Sequence, residues 1–499
     1  MKTIKMRGIA AAVTGALLIG FGANAMADST DDILNALIAK GVLTEEEGAL
    51  LQKGRTGEKE AAEKKKASSV SAKYKDGLSF ESGDGSFKAQ INGRVHADYR
   101  YFDYNENKNN PSAAAGNAIA NAGVPDTFDI RRARLGFKAA FKDYYEVEVV
   151  SDLATGDTGK SKLDVGFLNI AWWKPVQFRF GKFKMPMNLE ELTSSNNTDF
   201  MERSFVNQLA PAKEVGAMVH GTPFTGITYA LAVSNGVKDG GVEAEHREDG
   251  KDVYGRLTTN FAEIMGNKDM ILHAGASFSK GDSPEGTVGV SGSTEAKGAT
   301  FFKAPVVANS LGDVSNIDRS RLGLEGILAY GPFKMQSEWI RMSNEFKTPT
   351  KNYDLDTENW YAEAAWTMTG ESYSDAYKNG IFGGLKPKND FDPTTFKGGL
   401  WELGVRYSEF DASDYNAVGV GNGVGTADAK ITTKAAGFAK ANAWTAGLKF
   451  LPTSNMRLML NYVSTDFKDI IGGETGGVII NQKRVDDEKA LIMRAQWMF

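Results

Sequence analysis

The chain has no cysteine, and only four histidines and 13 prolines among its 499 residues. Without thiols there is no disulfide framework, no thiolate metal site and no thiol redox chemistry, so stability must come from extended hydrogen-bonded structure or large cores. His96, His220, His246 and His273 show no motif spacing, and no nucleophile, base and orienting group fall into a recognisable pattern. No Gly-rich phosphate loop follows a strand and opens a helix. The sequence therefore predicts no enzyme, no catalytic residue, no metal and no cofactor. Positive charge is not in excess either: a formal net charge of -5 argues against a nucleic-acid partner. After the first thirty residues no run approaches the roughly 18 consecutive apolar residues of a transmembrane helix, which excludes a helical membrane protein.

The beginning of the chain is informative. Lys2, Lys5 and Arg7 precede an apolar run over 9–21 and then Ala25-Met26-Ala27. This is the layout of a secretory signal peptide, 1–27, too short in its apolar part to span a bilayer. Losing those three cations takes the formal charge from -5 to -8. The next stretch, 28–71, is expected to be a periplasmic helical or coiled-coil segment and linker. Ile33, Leu34, Leu37 and Ile38 form one stripe, Gly41 separates two short helices, and Thr44 with Glu47 forms a capping box. The Lys- and Ala-rich tract 53–71 reads as a solvated linker in preference to a continued helix.

From residue 86 the hydrophobic period changes to two and stays there to Phe499. In the final strand Leu491, Met493, Ala495, Trp497 and Phe499 share one face, while Ile492, Arg494, Gln496 and Met498 share the other. Trp401, Leu403, Val405 and Tyr407 separate in the same way from Glu402, Gly404, Arg406 and Ser408. Sixteen candidate strands follow, from 86–103 through 251–264 to 488–499. Very short connections, such as Asp143-Tyr144, Thr225-Gly226 and Gly331-Pro332, alternate with segments of roughly 10 to 35 residues. Short turns at one rim and long loops at the other predict an all-β fold: a 16-stranded antiparallel transmembrane β-barrel over 86–499, with a short N-terminal helical segment. Trp172, Trp173, Tyr330, Tyr407 and Trp497 are candidates for its aromatic girdles, in contact with outer-membrane lipid. Sixteen strands leave an aqueous channel, so the expected function is a passive pore.

Several segments carry a family resemblance. They include Asn92-Gly93-Arg94 with Asp98, Arg131-Arg132-Ala133-Arg134-Leu135-Gly136-Phe137, and Phe180-Gly181-Lys182-Phe183-Lys184 running on to Leu192-Thr193-Ser194-Ser195. Others are Met201-Glu202-Arg203-Ser204, Tyr330-Gly331-Pro332-Phe333 and Trp401-Glu402-Leu403 with Arg406-Tyr407. Over nearly the whole barrel the chain resembles the phosphate-selective porins O and P. The resemblance implies a homotrimer in the bacterial outer membrane that passes inorganic anions, phosphate or related oxyanions. It also implies a third loop, 187–213, folded inward as a constriction, with Thr193, Ser194, Ser195 and Asn196 at its narrowest part, and an aromatic last residue, Phe499, that serves barrel assembly.

Strict alternation points Arg132 and Arg134 into the lumen and Arg131 outward. The resemblance implies that both members of the Arg131-Arg132 pair approach the constriction, so a β-bulge or strand start is expected at Arg131. Guanidinium forks suit oxyanions, which makes Arg131, Arg132 and Arg134 the leading anion-binding candidates and Arg94, Lys182 and Lys184 secondary ones. The bland alternative pairs these cations with Glu146, Glu148, Asp152 or Asp164. Asn196 stands where phosphate-selective relatives carry a lysine, and the loop 282–320 has only Lys297, Lys303 and Arg319 as cations. By parity Glu325, Glu338, Glu363 and Glu402 face the lumen, which predicts a zwitterionic wall and weaker selectivity. A general weakly selective porin, and a barrel-anchored structural protein linking outer membrane to cell wall, are the competing readings.

Overall fold

The computed structural model describes residues 34, 37–67, 69–74, 77–106, 118–121, 125–154, 162–236, 251–283, 290–305, 317–347, 352–416, 433–473 and 476–499. The expected signal peptide, 1–27, and His246 lie outside them. The chain divides into two units, Met1–Ser71 with Ser82–Gly85, and Ala72–Glu81 with Ser86–Phe499. In the first, helix α1 (Glu45–Ala67) opens with the expected capping box: the Glu47 amide donates to Thr44 Oγ1 at 3.2 Å and the Thr44 amide to Glu47 Oε2 at 2.9 Å. Glu45, Glu46 and Glu47 complement the positive end of its dipole. The helix continues through 53–67, where the sequence favoured a linker; high intrinsic propensity of Ala, Glu and Lys carries it past Gly54 and Gly57.

The second unit is a closed barrel. Its strands are β1 (Phe87–Glu106), β2 (Thr127–Phe141), β3 (Tyr145–Asp152), β4 (Lys162–Trp173), β5 (Val176–Lys184), β6 (Lys213–Phe224), β7 (Ile227–Ser234) and β8 (Asp252–Asn260). There follow β9 (Met270–Ser283), β10 (Ile317–Tyr330), β11 (Phe333–Lys347), β12 (Asn352–Thr367), β13 (Leu400–Asp411), β14 (Ala436–Thr453), β15 (Met456–Ile470) and β16 (Lys483–Met498). Each pairs antiparallel with the next, and β16 returns to β1 in a register from Val485↔Glu106 to Met498↔Arg94. No barrel edge is left open. All sixteen expected strands are present. Lys142 and Asp143, with φ of 50° and 56°, are the central residues of the tight turn between β2 and β3, closed by the Tyr144 amide on Phe141 O at 3.0 Å.

The alternation works as a sorting rule. Leu135, Phe137, Leu322, Leu324, Leu403 and Val405 are exposed on the outer face, while Arg406, Arg494 and Gln496 are buried inside. At the seam, Phe499 exchanges backbone hydrogen bonds with Gly93, N–H to O at 3.0 Å and 2.8 Å. A Cβ on Gly93 would come within 2.4 Å of the Phe499 ring. Gly93 is therefore the residue that lets the terminal aromatic close the barrel.

Two features depart from the expected layout. Residues Phe261–Ile264 form a helical turn instead of extending β8. More important, the connection 368–399 belongs to the short-turn rim and is long. Its 3-10 turn (Tyr373–Ala376) and small hairpin (Tyr377–Lys378 with Ile381–Phe382) fold back into the lumen. Gly380 O accepts from Arg256 Nη2 at 2.8 Å, and Lys334 Nζ lies 4.6 Å from the Phe382 ring centre. From the other rim, 185–212 and 290–305 also enter. Phe205 and Phe301 pack edge-on against Phe410 of β13, and Phe302 lies 5.5 Å from the same ring. The barrel's hydrophobic core thus sits inside it, along β11–β15, and open space remains along β2–β7.

Candidate functional site

The bulge expected on β2 is there. Pairing with β1 shifts between His96↔Arg132 and Ala97↔Ile130, leaving Arg131 as the extra residue. Released from alternation, Arg131 turns inward and binds Glu202 of the inward loop with Nε and Nη2, at 2.9 Å and 3.2 Å. Arg100 and Arg494 meet the same carboxylate at 2.9 Å and 3.1 Å. Burial alone would push Glu202 up, but Arg131, Arg494, Arg132 and Arg100 outweigh it and hold the carboxyl well below the usual carboxylate range.

The neighbouring positions divide by what they already hold. Arg132 is buried, and its Nη1 has no hydrogen-bond partner among the described residues. Arg94 reaches Ser194 Oγ at 3.3 Å and Ser195 Oγ at 3.5 Å, which ties the wall to the tip of the loop. Arg134, directly opposite Arg94 in the β1–β2 register, is engaged by Asp152 and Asp164, each at 2.7 Å. Two facing guanidiniums would repel, and the two aspartates offset that. For Arg134 the bland alternative read from the sequence is therefore the observed one.

Lys182 and Lys184 take different places: Lys184 lines the open space and Lys182, which is buried, does not. The Lys184 ammonium donates to the carbonyls of Glu191, Leu192 and Thr193, so it clamps the end of a short helical turn (Leu189–Leu192). Within the expected constriction, Ser194 and Ser195 reach the cavity while Thr193 and Asn196 do not. Thr193 O accepts from Lys184 and from Arg203 Nη2 at 2.9 Å, and Asn196 Oδ1 lies 3.1 Å from His96 Nε2. The loop 187–213 is also less polar in effect than in composition. Its Met187, Leu189, Phe200, Phe205, Val206 and Leu209 are buried against the barrel wall, which fixes the loop across the lumen.

The four glutamates expected to make the wall zwitterionic do not face the open space. Glu402 pairs with Lys449 at 2.6 Å, Glu363 with Lys334 at 3.4 Å, and Glu325 with Arg256 and His273. Glu338 accepts from the amides of Leu189 and Glu190 at 2.7 Å. All four are sealed behind the inward segments, and none lines the cavity. What remains open is a space of about 1010 Å³, bounded mainly by β2–β7, the loop 185–212 and the tips of the other two inward segments. Eleven Lys and Arg side chains line it against five Asp and Glu, the reverse of the balance over the whole chain. Arg179, Arg203, Lys213, Arg256 and Lys297 in this lining were not among the candidates named from the sequence. Arg203 was visible in the Met201-Glu202-Arg203-Ser204 motif, and Lys297 as an isolated cation in a loop of small residues.

A closed sixteen-stranded barrel with an apolar outer surface and a charged, partly open lumen defines a passive outer-membrane channel. The sequence profile of the phosphate-selective porin O and P family matches residues 89–499, and the chain belongs to that family. Porin O of Pseudomonas aeruginosa is 26% identical over 459 residues, covering 86% of this chain and 92% of its own. An uncharacterised protein of Caulobacter vibrioides is 23% identical over 412 residues, covering 79% and 71%. Among solved structures, an anion-selective porin from Comamonas acidovorans aligns over 83% of this chain and 100% of its own, with a TM-score of 0.49 and 11% identity. The protein is an outer-membrane porin.

Proposed function

We propose that this porin passes small hydrophilic anions, with phosphate or a related oxyanion the preferred solute, along the wall formed by β2–β7. The observation that carries the reading is the excess of basic over acidic side chains lining the open space of a chain whose net charge is negative. In a narrow, low-dielectric passage such a wall concentrates counter-ions of one sign. Arg132, with a buried donor to spare, and Arg94, beside two serine hydroxyls, are the residues read as holding the anion; Arg131 positions the loop through Glu202, and Arg134, held by Asp152 and Asp164, tunes the field. Phosphate fits a guanidinium fork with hydroxyls beside it because both are donors to its several acceptor oxygens.

The family resemblance supports a homotrimer in outer-membrane lipid, residues 1–27 as a cleaved signal peptide and 28–71 as a periplasmic segment. One observation favours the weakly selective alternative: Asn196 is neutral and bound to His96, so the loop tip brings no lysine to the passage. The deciding experiment measures chloride current through the purified protein in a planar bilayer while phosphate is added. Phosphate should reduce the current at concentrations where sulfate does not, and Arg94→Gln with Arg132→Gln should weaken that block about tenfold. Equal block by both anions would favour the general porin.

A further inference from the structure

The part of the cavity toward the short-turn rim is lined differently from the constriction. The guanidinium carbon of Arg179, on β5, lies 4.3 Å from the centre of the Phe167 ring and 5.9 Å from that of Phe183. Its Nε is buried with no hydrogen-bond partner among the described residues. The acids Glu146 and Glu148, on β3 beyond the intervening β4, make their polar contacts elsewhere: Glu146 accepts from Asn169 Nδ2 at 2.8 Å, and Glu148 pairs with Lys138 at 3.4 Å. Stacking on an aromatic face fixes the plane of a guanidinium and leaves its in-plane donors for a planar acceptor.

Beside Arg179 the wall is mixed: Asn169 is its register partner on β4 and His220 also lines the cavity, but apolar groups reach the open space as well. Met218 is the register partner of Arg179 on β6, Ala230 lies on β7 opposite His220, and the inward hairpin adds Ile381; all three line the cavity. Ile381 keeps 37% of its surface exposed inside the barrel. A bare inorganic oxyanion gains nothing from that surface, because desolvating its charge against hydrocarbon is costly. A carboxylate with an apolar body satisfies both halves of such a wall.

We propose that Arg179, Phe167, Met218 and Ile381 form a second binding station, on the short-turn side of the constriction, for small monocarboxylates that carry an apolar body. The carboxylate meets the Arg179 fork and the hydrocarbon lies along Met218 and Ile381. This rests on the reading of the lumen as an anion path, and it adds an organic solute class to the oxyanions held at Arg94 and Arg132.

The test compares block of chloride current by benzoate and by acetate, which share a carboxylate and differ in apolar surface. The full-length protein in planar bilayers should be half-blocked at a benzoate concentration about tenfold below that of acetate. Arg179→Gln should raise the benzoate value about tenfold and shift phosphate block much less. Ile381→Ser alters an exposed hairpin side chain that takes no part in the barrel's own strand pairing. It should raise the benzoate value about threefold and leave acetate where it was. Equal block by benzoate and acetate, or a benzoate-to-acetate ratio that survives both substitutions, overturns the station. A cation-selective reversal potential in the unaltered protein would instead overturn the anion path itself, so the two failures are distinguishable.

Discussion

The two sides of the lumen are made from the same alternating strands and handle charge in opposite ways. Along β10–β15, Glu363, Glu402 and Glu325 each meet a cation, and aromatic residues from three inward segments fill the remaining space. Along β2–β7 basic groups outnumber acidic ones, and they line the open space. Buried pairs of the first kind add little net stability, yet removing one partner is expensive. The contrast therefore separates charges that hold loops in place from charges available to a solute, a distinction that residue type alone does not make.

Opening the sealed side should have the largest effect. Replacing 374–385 with a short Gly-Ser turn would remove Phe382 and Ile381 from the lumen and expose Glu325, Glu363 and Lys334. Single-channel conductance should roughly double and anion preference should shrink, as the passage widens and acidic groups join its lining. Unchanged conductance would mean that the hairpin does not seal that side.

Glu202 anchors the inward loop where β16, β1 and β2 meet, so its loss should be felt next. Glu202→Gln leaves Arg100, Arg131 and Arg494 without their shared counter-charge, and breaking a buried pair costs about 3–5 kcal/mol. Thermal unfolding in detergent should register this. The pH dependence has a defined sign. Because the folded-state value of Glu202 is depressed, its contribution is fully present above the unfolded value of about 4.3 and disappears as pH falls through the folded value. The unaltered barrel should therefore lose stability in acid more steeply than Glu202→Gln does.

The smallest effect belongs to Lys297, at the tip of 290–305. Burial lowers its pKa, so rising pH discharges it earlier than an ordinary lysine. Anion preference should decline modestly as pH rises, at lower pH than an ordinary lysine would titrate, and Lys297→Met should show the lower preference throughout without that slope. A slope retained in Lys297→Met would assign the titration to another group.

Most of the barrel was legible because period two reports directly which side of a strand each residue takes. That reasoning located all sixteen strands and the exposed faces of Leu403 and Leu491, and it exposed the conflict at Arg131 that only a bulge resolves. It could not assign partners. The parity that put Glu402 and Glu338 in the lumen was right, but Lys449 and the Leu189 amide, distant in sequence, decide whether those carboxylates see solute. Lys184 does line the open space, but the carbonyls its ammonium clamps belong to a loop that strand parity does not locate. The inward course of 290–305 and 368–399 did leave a trace: Phe301-Phe302 and Tyr373, Tyr377 and Phe382 are large aromatics in connections otherwise rich in Gly, Ser and Lys. Such residues have no reason to remain in water.

The most direct test of this division of the lumen is the reversal potential under a potassium chloride gradient, measured for three proteins in the same bilayer. The unaltered porin should be anion-selective, and Arg94→Gln with Arg132→Gln should move the potential toward zero. Glu402→Met with Lys449→Met, which exchanges a buried pair on the sealed side for apolar groups of similar reach, should keep the original value. A cation-selective unaltered protein, or equal shifts from the two double variants, would contradict the assignment of anion preference to the β2–β7 wall.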